Sequence, residues 1–141
     1  MPRVKPISVY VAMALTGAPK DFVKDFQQYL KDGLRGLAAV KVVDFIGLEN
    51  GDETDVYKYD RQCVETSDYC AIVCDHASTG MGMEIAFRLA TGKPMGFFAE
   101  THSHITRMVT GCAKVENIPF HRYTSVTHLI DMIKLQLAEL E

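Results

Sequence analysis

The residues from Asp68 to Pro94 constrain the fold of this chain more than any other stretch of the sequence. An apolar run from Tyr69 to Cys74 has the length and composition of a strand that is buried on both faces. Small, turn-forming residues follow, and a helical pattern then opens near Met83 and stops at Gly92–Pro94, a glycine followed by a proline. A strand, a glycine-containing turn and a helix in this order are typical of α/β proteins, in which such a unit presents polar groups to a ligand at the carboxyl end of the sheet.

The same alternation of strand and helix extends over the whole chain, which predicts a single domain of residues 1–141. The predicted strands are Ile7–Met13, Val40–Ile46, Tyr69–Cys74, Met95–Ala99 and Ile118–Tyr123. The predicted helices are Pro19–Leu34, a helix capped by Thr54 that runs to Ser67, the helix from Met83, a short helix Ile105–Ala113 and a last helix capped by Ser125.

This pattern favours a flavodoxin-like α/β fold, a five-stranded parallel sheet of order 2-1-3-4-5 with helices on both faces. Pro119 makes the fifth strand an edge strand, since proline cannot donate to a central ladder. The switch point of this order lies between strands one and three. We therefore expect the ligand crevice between the loop after Met13 and the loop after Asp75.

Composition excludes several classes of protein. The net charge of −3 disfavours nucleic-acid binding, and no apolar run is long enough for a membrane span. The first residues lack the apolar core of a signal peptide, so we expect a cytoplasmic protein. Its cysteines are then expected to be reduced, buried thiols: Cys63, Cys70, Cys74 and Cys112.

Asp60 and Glu84 are the candidate catalytic acids. If their two helices both point at the crevice, the carboxylates converge, and paired acids suit glycosidic chemistry, with one as nucleophile and one as proton donor. A purely structural interpretation is open for each acid. Asp60 can pair with Arg61 or Lys58 on a solvated face, and Glu84 can suit the dipole in the first turn of its helix.

The loop from Ser78 to Gly82 is the candidate binding loop, because backbone N–H groups at a helix start can hold a phosphate or a hydroxyl. It matches neither a Walker loop nor a dinucleotide-binding glycine pattern, and a tight turn with a helix start explains it equally well. Met81 can pack against a planar base or in the core, and Tyr10 can belong to the core or reach the crevice. His102 and His104 lack a third ligand at useful spacing, so no metal site is predicted.

Several of these segments together resemble the nucleoside 2-deoxyribosyltransferase family, which includes the closely similar 2'-deoxynucleoside 5'-monophosphate N-glycosidases. The resemblance covers nearly the whole chain. It rests on four segments: Val9–Ala12, Tyr59–Asp60, Asp68–Val73 and above all Gly80–Pro94, with its Gly-x-Gly-x-Glu pattern. The family has the fold derived above, and the resemblance implies no cofactor.

The resemblance also implies residue roles. Glu84 falls on the nucleophile that forms a covalent glycosyl-enzyme, Asp60 on the acid that assists departure of the base, and Tyr10 on a tyrosine beside the nucleophile. The substrate-binding positions implied are Ser78, Gly80, Met81, Gly82, Thr16 and Gly17. Thr106 falls on the segment through which a neighbouring subunit completes each site, so the resemblance implies a homo-oligomer, a dimer or larger.

Departures from the family leave the substrate open. The loop from Ala14 to Lys20 lacks the arginine of the monophosphate-specific branch, and Lys20 supplies a point charge but no bidentate fork. Base, sugar and 5'-phosphate, and whether water or a second base accepts the sugar, are therefore undetermined by the sequence. The rival hypotheses are a nucleotide-sensing module that has lost the chemistry and, less favoured, a flavin-binding relative of the same fold.

Overall fold

The structure is a computed structural model that describes residues 5–15, 17–44 and 51–140. It contains one five-stranded sheet of order β2-β1-β3-β4-β5 in which every neighbouring pair is parallel. The strands are β1 Ile7–Met13, β2 Val40–Val43, β3 Tyr69–Val73, β4 Met95–Glu100 and β5 Phe120–Tyr123. The predicted fold and strand order are confirmed. Residues 45–46, the end of the predicted second strand, lie outside the described residues.

Helices cover both faces of the sheet. A π-helical segment, Phe22–Phe26, leads into the first of them; the α-helices are α1 Gln27–Arg35, α2 Glu53–Thr66, α3 Thr79–Thr91, α4 Arg107–Val115 and α5 Val126–Ala138. One buried cluster lies beneath α1 and α5, and the other lies beneath α2, α3 and α4. Because side chains alternate along a strand, Val9 and Val11 of β1 enter the first cluster, whereas Tyr10 enters the second.

Three predicted helix starts were wrong; α4 begins at Arg107 and not at Ile105. Helix α3 begins at Thr79 instead of near Met83, because the hydroxyl of Ser78 accepts a hydrogen bond from the backbone N–H of Met81 and caps the helix. The two glycines of the motif are therefore helical, and Glu84 lies in the second turn. Helix α2 begins at Glu53 and not after Thr54: its cap is Asp52, which forms a reciprocal capping box with Asp55.

Arg88 joins the two helices that carry the candidate acids. Its side chain is completely buried, and its guanidinium donates to the carbonyl oxygens of Val64 at 2.8 Å, Ser67 at 2.7 Å and Pro94 at 2.7 Å. These bonds satisfy carbonyls at the end of α2, where a positive charge also suits the helix dipole. Arg88 thus fixes the last turn of α2 against α3 and the start of β4.

Candidate active site

The side chains of Tyr10 and Glu84 meet where β1 passes beneath α3. The Tyr10 hydroxyl donates a short hydrogen bond to Oε2 of Glu84. Tyr10 is almost fully buried, whereas Glu84 is half-buried. The Tyr10 hydroxyl thus lies beside Glu84, while its ring belongs to the core.

The surroundings of Glu84 favour its neutral form. Burial raises the pKa of the Glu84 carboxyl to about 7, and the negative charge of Asp60 adds to the rise, while the hydrogen bond from Tyr10 opposes it. Burial and the charge of Glu84 also raise the pKa of the Tyr10 hydroxyl, so Tyr10 stays protonated and acts as a donor. A carboxyl with a pKa near 7, held by one fixed donor, is suited to change its charge during a reaction.

A cavity of about 490 Å³ between α2 and α3 contains both candidate acids in its lining. This volume lies in the range of roughly 300–1,000 Å³ that is common for small-molecule sites. Asp60 approaches it from α2 and Glu84 from α3, and the charge of Asp60 acts on Glu84. The structure therefore brings the two acids to one cavity, as the sequence predicted.

The remaining predicted binding residues are placed differently. Gly80 lines the cavity, whereas Met81 is buried in the core beneath α3, and its contact with a substrate stays a prediction. The side chain of Ser78 caps α3, and Gly82 is exposed on the first turns of the helix. Substrate contacts of these two residues likewise remain predictions.

The loop after β1 lies beside the segment before α3, as the predicted switch point requires. A Cβ on Gly17 would stand 3.2 Å from the carbonyl oxygen of Ala77, so glycine permits this close approach. Thr16 lies outside the described residues. The described lining of the cavity includes no residue of this loop, so the cavity is displaced towards α2 relative to the predicted crevice.

Asp75 organises the loop that leads to Thr106. One of its carboxylate oxygens accepts from the backbone N–H of Glu100 at 2.6 Å and from the hydroxyl of Ser103 at 2.5 Å. The other accepts a short hydrogen bond from the hydroxyl of Tyr123. Thr106 follows this loop as the exposed cap of α4, where its hydroxyl accepts from the N–H of Met108 at 3.3 Å.

Sequence reasoning missed three side chains that line the cavity: Tyr57, Met83 and Phe87. A usable signal was present, because Tyr57 precedes Asp60 by one helical turn and Phe87 follows Glu84 by one turn. Residues at this spacing lie on the same face of a helix, so each aromatic side chain is expected on the same face as the acid on its helix.

Within residues 5–15, 17–44 and 51–140, no three His, Cys, Asp or Glu side chains are grouped to hold a metal ion. None of the helices in these ranges combines the length and apolar character that crossing a membrane requires.

No protein-family model matches this sequence, and no curated protein matches it. Among solved structures, the fold is similar to the CMP N-glycosidase BcmB of Clostridium botulinum, with a TM-score of 0.72 and 18% identity over 91% of this chain and 98% of that chain. It is also similar to a 2-deoxyribosyltransferase from Leishmania mexicana, with a TM-score of 0.56 and 14% identity over 67% of this chain and 65% of that one. A conserved protein of Enterococcus faecalis V583 gives a TM-score of 0.69 and 14% identity, over 93% and 99% of the two chains. At these identities the likeness shows the fold, and it is the fold that the sequence resemblance implied.

Proposed function

We propose that this chain is a member of the nucleoside 2-deoxyribosyltransferase family and cleaves the N-glycosidic bond of a nucleoside or nucleoside 5'-monophosphate, with 2'-deoxyribose as the expected sugar. In this proposal Glu84 is the nucleophile, and the sugar passes through a glycosyl-Glu84 adduct to water or to a second base. The observation that carries the proposal is the convergence of Glu84 and Asp60 at one cavity, with the Tyr10 hydroxyl bound to Glu84.

The proposed first step breaks the bond between the anomeric carbon and the base nitrogen. A carboxylate oxygen of Glu84 attacks the anomeric carbon, while the hydrogen bond from Tyr10 orients the carboxylate. The electron pair of the broken bond stays on the base, and a proton that Asp60 takes from solvent and passes to the base neutralises it. Delivery of this proton is worth about 10²–10⁴-fold in rate, because a nucleobase is a poor leaving group as an anion.

The second step returns the enzyme to its starting state. Water or a second base attacks the anomeric carbon, and the bond to Glu84 breaks with its electron pair on the carboxylate. The proton that the attacking water or base loses passes through Asp60 to solvent. Two of the structural neighbours, an N-glycosidase and a deoxyribosyltransferase, carry names that correspond to these two outcomes, which supports the proposed reaction class.

We further propose that the active species is a homo-oligomer in which Thr106 of a neighbouring subunit completes each site. The support comes from α4, the helix that Thr106 caps. Its Met108 and Val115 are each 82% exposed, and side chains seven positions apart lie on one helix face. An apolar face of this kind suits burial against a second copy of the chain.

Incubation with a panel of ribo- and deoxyribonucleosides and their 5'-monophosphates, with and without a free base, tests the reaction. Chromatography should detect release of base from one substrate class or exchange of bases. Glu84→Ala should abolish either reaction, whereas Glu139→Ala, which removes an exposed acid after α5, should leave it intact. Failure of every substrate to release or exchange its base would contradict the proposal and would favour the nucleotide-sensing module.

A further inference from the structure

The cavity has a second wall, apolar and aromatic, that the proposed chemistry does not use. This wall, which we call the aromatic wall, consists of Tyr57 from α2 and Met83 and Phe87 from α3. Tyr57 and Met83 are each 45% exposed. Exposed apolar surface that lines a cavity is typical of a ligand-binding site.

Arg61, which also lines the cavity, contacts both rings of the aromatic wall. Its guanidinium donates to the hydroxyl of Tyr57 at 2.6 Å and to Glu65 at 2.8 Å, and its central carbon lies 4.4 Å from the centroid of the Phe87 ring. The rings of Tyr57 and Phe87 meet edge to face, with centroids 6.1 Å apart. The two rings are therefore held in a defined geometry by contacts between α2 and α3.

The position of the wall relative to the acids defines what it can bind. Tyr57 lies one turn before Asp60 on α2, and Phe87 lies one turn beyond Glu84 on α3. A substrate with its anomeric carbon at Glu84 and its leaving group at Asp60 extends its leaving group along this side of the cavity. A nucleobase is planar and largely apolar on its faces, which suits contact with aromatic rings and a methionine thioether.

We propose that Tyr57, Met83 and Phe87 form the base-recognition wall of the site and that Arg61 is a positioning residue that holds it. This inference rests on the proposed function for the identity of the ligand, a nucleoside. It assigns base specificity to side chains of α2 and α3 that are different from the acids proposed to carry the reaction.

Two measurements on the same variants test the wall. Calorimetric titration with free nucleobases reports binding without turnover, and steady-state kinetics with the cleaved nucleoside reports KM and kcat separately. Phe87→Ala and Tyr57→Ala should each weaken base binding and raise KM by about tenfold, since base–aromatic contacts contribute that much to affinity, while kcat falls far less. Tyr29→Ala, which removes a more exposed tyrosine ring from α1 on the other face of the sheet, should change neither.

The variants distinguish a positioning role from general destabilisation. Arg61→Met should raise KM without lowering kcat, whereas Arg61→Lys should restore part of the affinity, because lysine keeps the charge above the Phe87 ring. Tyr57→Ala keeps the test decisive if Phe87→Ala does not fold, since the Tyr57 side chain is exposed.

The outcomes separate this inference from the proposed function. In one outcome, the unaltered protein binds free bases, the wall variants bind them more weakly, and no nucleoside is cleaved. That outcome would support the base-recognition wall and overturn the proposed reaction. Cleavage with unchanged KM and unchanged base binding in both ring variants would overturn the wall and leave the reaction standing. Absence of base binding to the unaltered protein would also overturn the wall.

Discussion

The Glu84 carboxyl is subject to opposing influences, and their balance determines when it can act. Burial and the charge of Asp60 favour the protonated form, whereas the Tyr10 hydroxyl favours the ionised form. The dipole of α3 contributes less than a first-turn position would imply, because Glu84 lies in the second turn and the dipole effect fades beyond the first. The Glu84 carboxyl is therefore half ionised near pH 7.

The rate should follow this titration. If Glu84 is the nucleophile that we propose, attack requires its carboxylate, so kcat/KM should be lost as the pH falls through about 7. Tyr10→Phe removes the hydrogen bond that lowers the pKa of Glu84, so its pKa rises and the acidic limb of the profile moves to higher pH. The expected displacement is about one pH unit or more, since a hydrogen bond to a charged group contributes about 1.5–3 kcal/mol and one unit corresponds to about 1.4 kcal/mol.

Tyr69→Phe is the matched control for this pH–rate profile. Tyr69 is also a buried strand tyrosine, but it lies in the core cluster on the opposite face, and its hydroxyl has no hydrogen-bond partner among residues 5–15, 17–44 and 51–140. Removal of that hydroxyl should leave the acidic limb in place. An equal displacement in both variants would show that the Tyr10–Glu84 bond does not govern the titration.

At the level of elements, the first turn of α3 contains two glycines that the fold itself does not require. A Cβ on Gly82 would meet nothing within 4 Å, and one on Gly80 would meet only the Ser78 hydroxyl at 3.8 Å. Glycine in a helix costs about 1 kcal/mol relative to alanine. The compensating advantage at Gly80 is space in the cavity, where a substrate can approach the backbone closely.

Gly80→Ala should therefore separate stability from activity. The free energy of unfolding should rise by about 0.5–1 kcal/mol, because alanine favours the helix, while kcat/KM should fall by about tenfold or more as the new methyl group enters the substrate space. Chemical denaturation and steady-state kinetics measure the two effects. Gly82→Ala adds the same methyl group outside the cavity lining, and it should gain similar stability with a smaller loss of activity.

The elements also show what a sequence can and cannot predict here. Strand β1 was predicted at its observed bounds, because its run of β-branched, aromatic and other apolar residues begins directly after Pro6 and has the composition of a strand. The start of α3 was placed too late, because Gly80 and Gly82 are poor helix formers and the cap from Ser78 outweighs them. The acids were identified from their spacing and family pattern. The aromatic wall was not, since its role depends on the packing of α2 against α3.

At the scale of the whole molecule, the proposed homo-oligomer would bring the exposed apolar face of α4 and the cap at Thr106 to the cavity of a second copy of the chain. The Asp75 network fixes the loop before Thr106, so this residue is held in a defined place although it is exposed. A rigid, exposed cap beside Met108 and Val115 is suited to reach a site on a second copy of the chain. The homo-oligomer predicted from the sequence can be tested through this residue.

Mixed oligomers provide that test. If Thr106 acts across the interface, Glu84→Ala and Thr106→Ala should each be inactive or weak when expressed alone. Co-expression of the two variants should restore up to about a quarter of the activity of the unaltered protein. Half of random dimers contain one copy of each variant, and one of the two sites in such a dimer is intact. Glu84→Ala with Asp60→Ala should restore nothing, since both acids belong to the same subunit's cavity. Ser125→Ala, which removes the corresponding cap of α5, measures the effect of cap loss alone. An active monomer in light scattering, or equal activity from the two mixtures, would contradict a site completed by Thr106 of the neighbouring subunit.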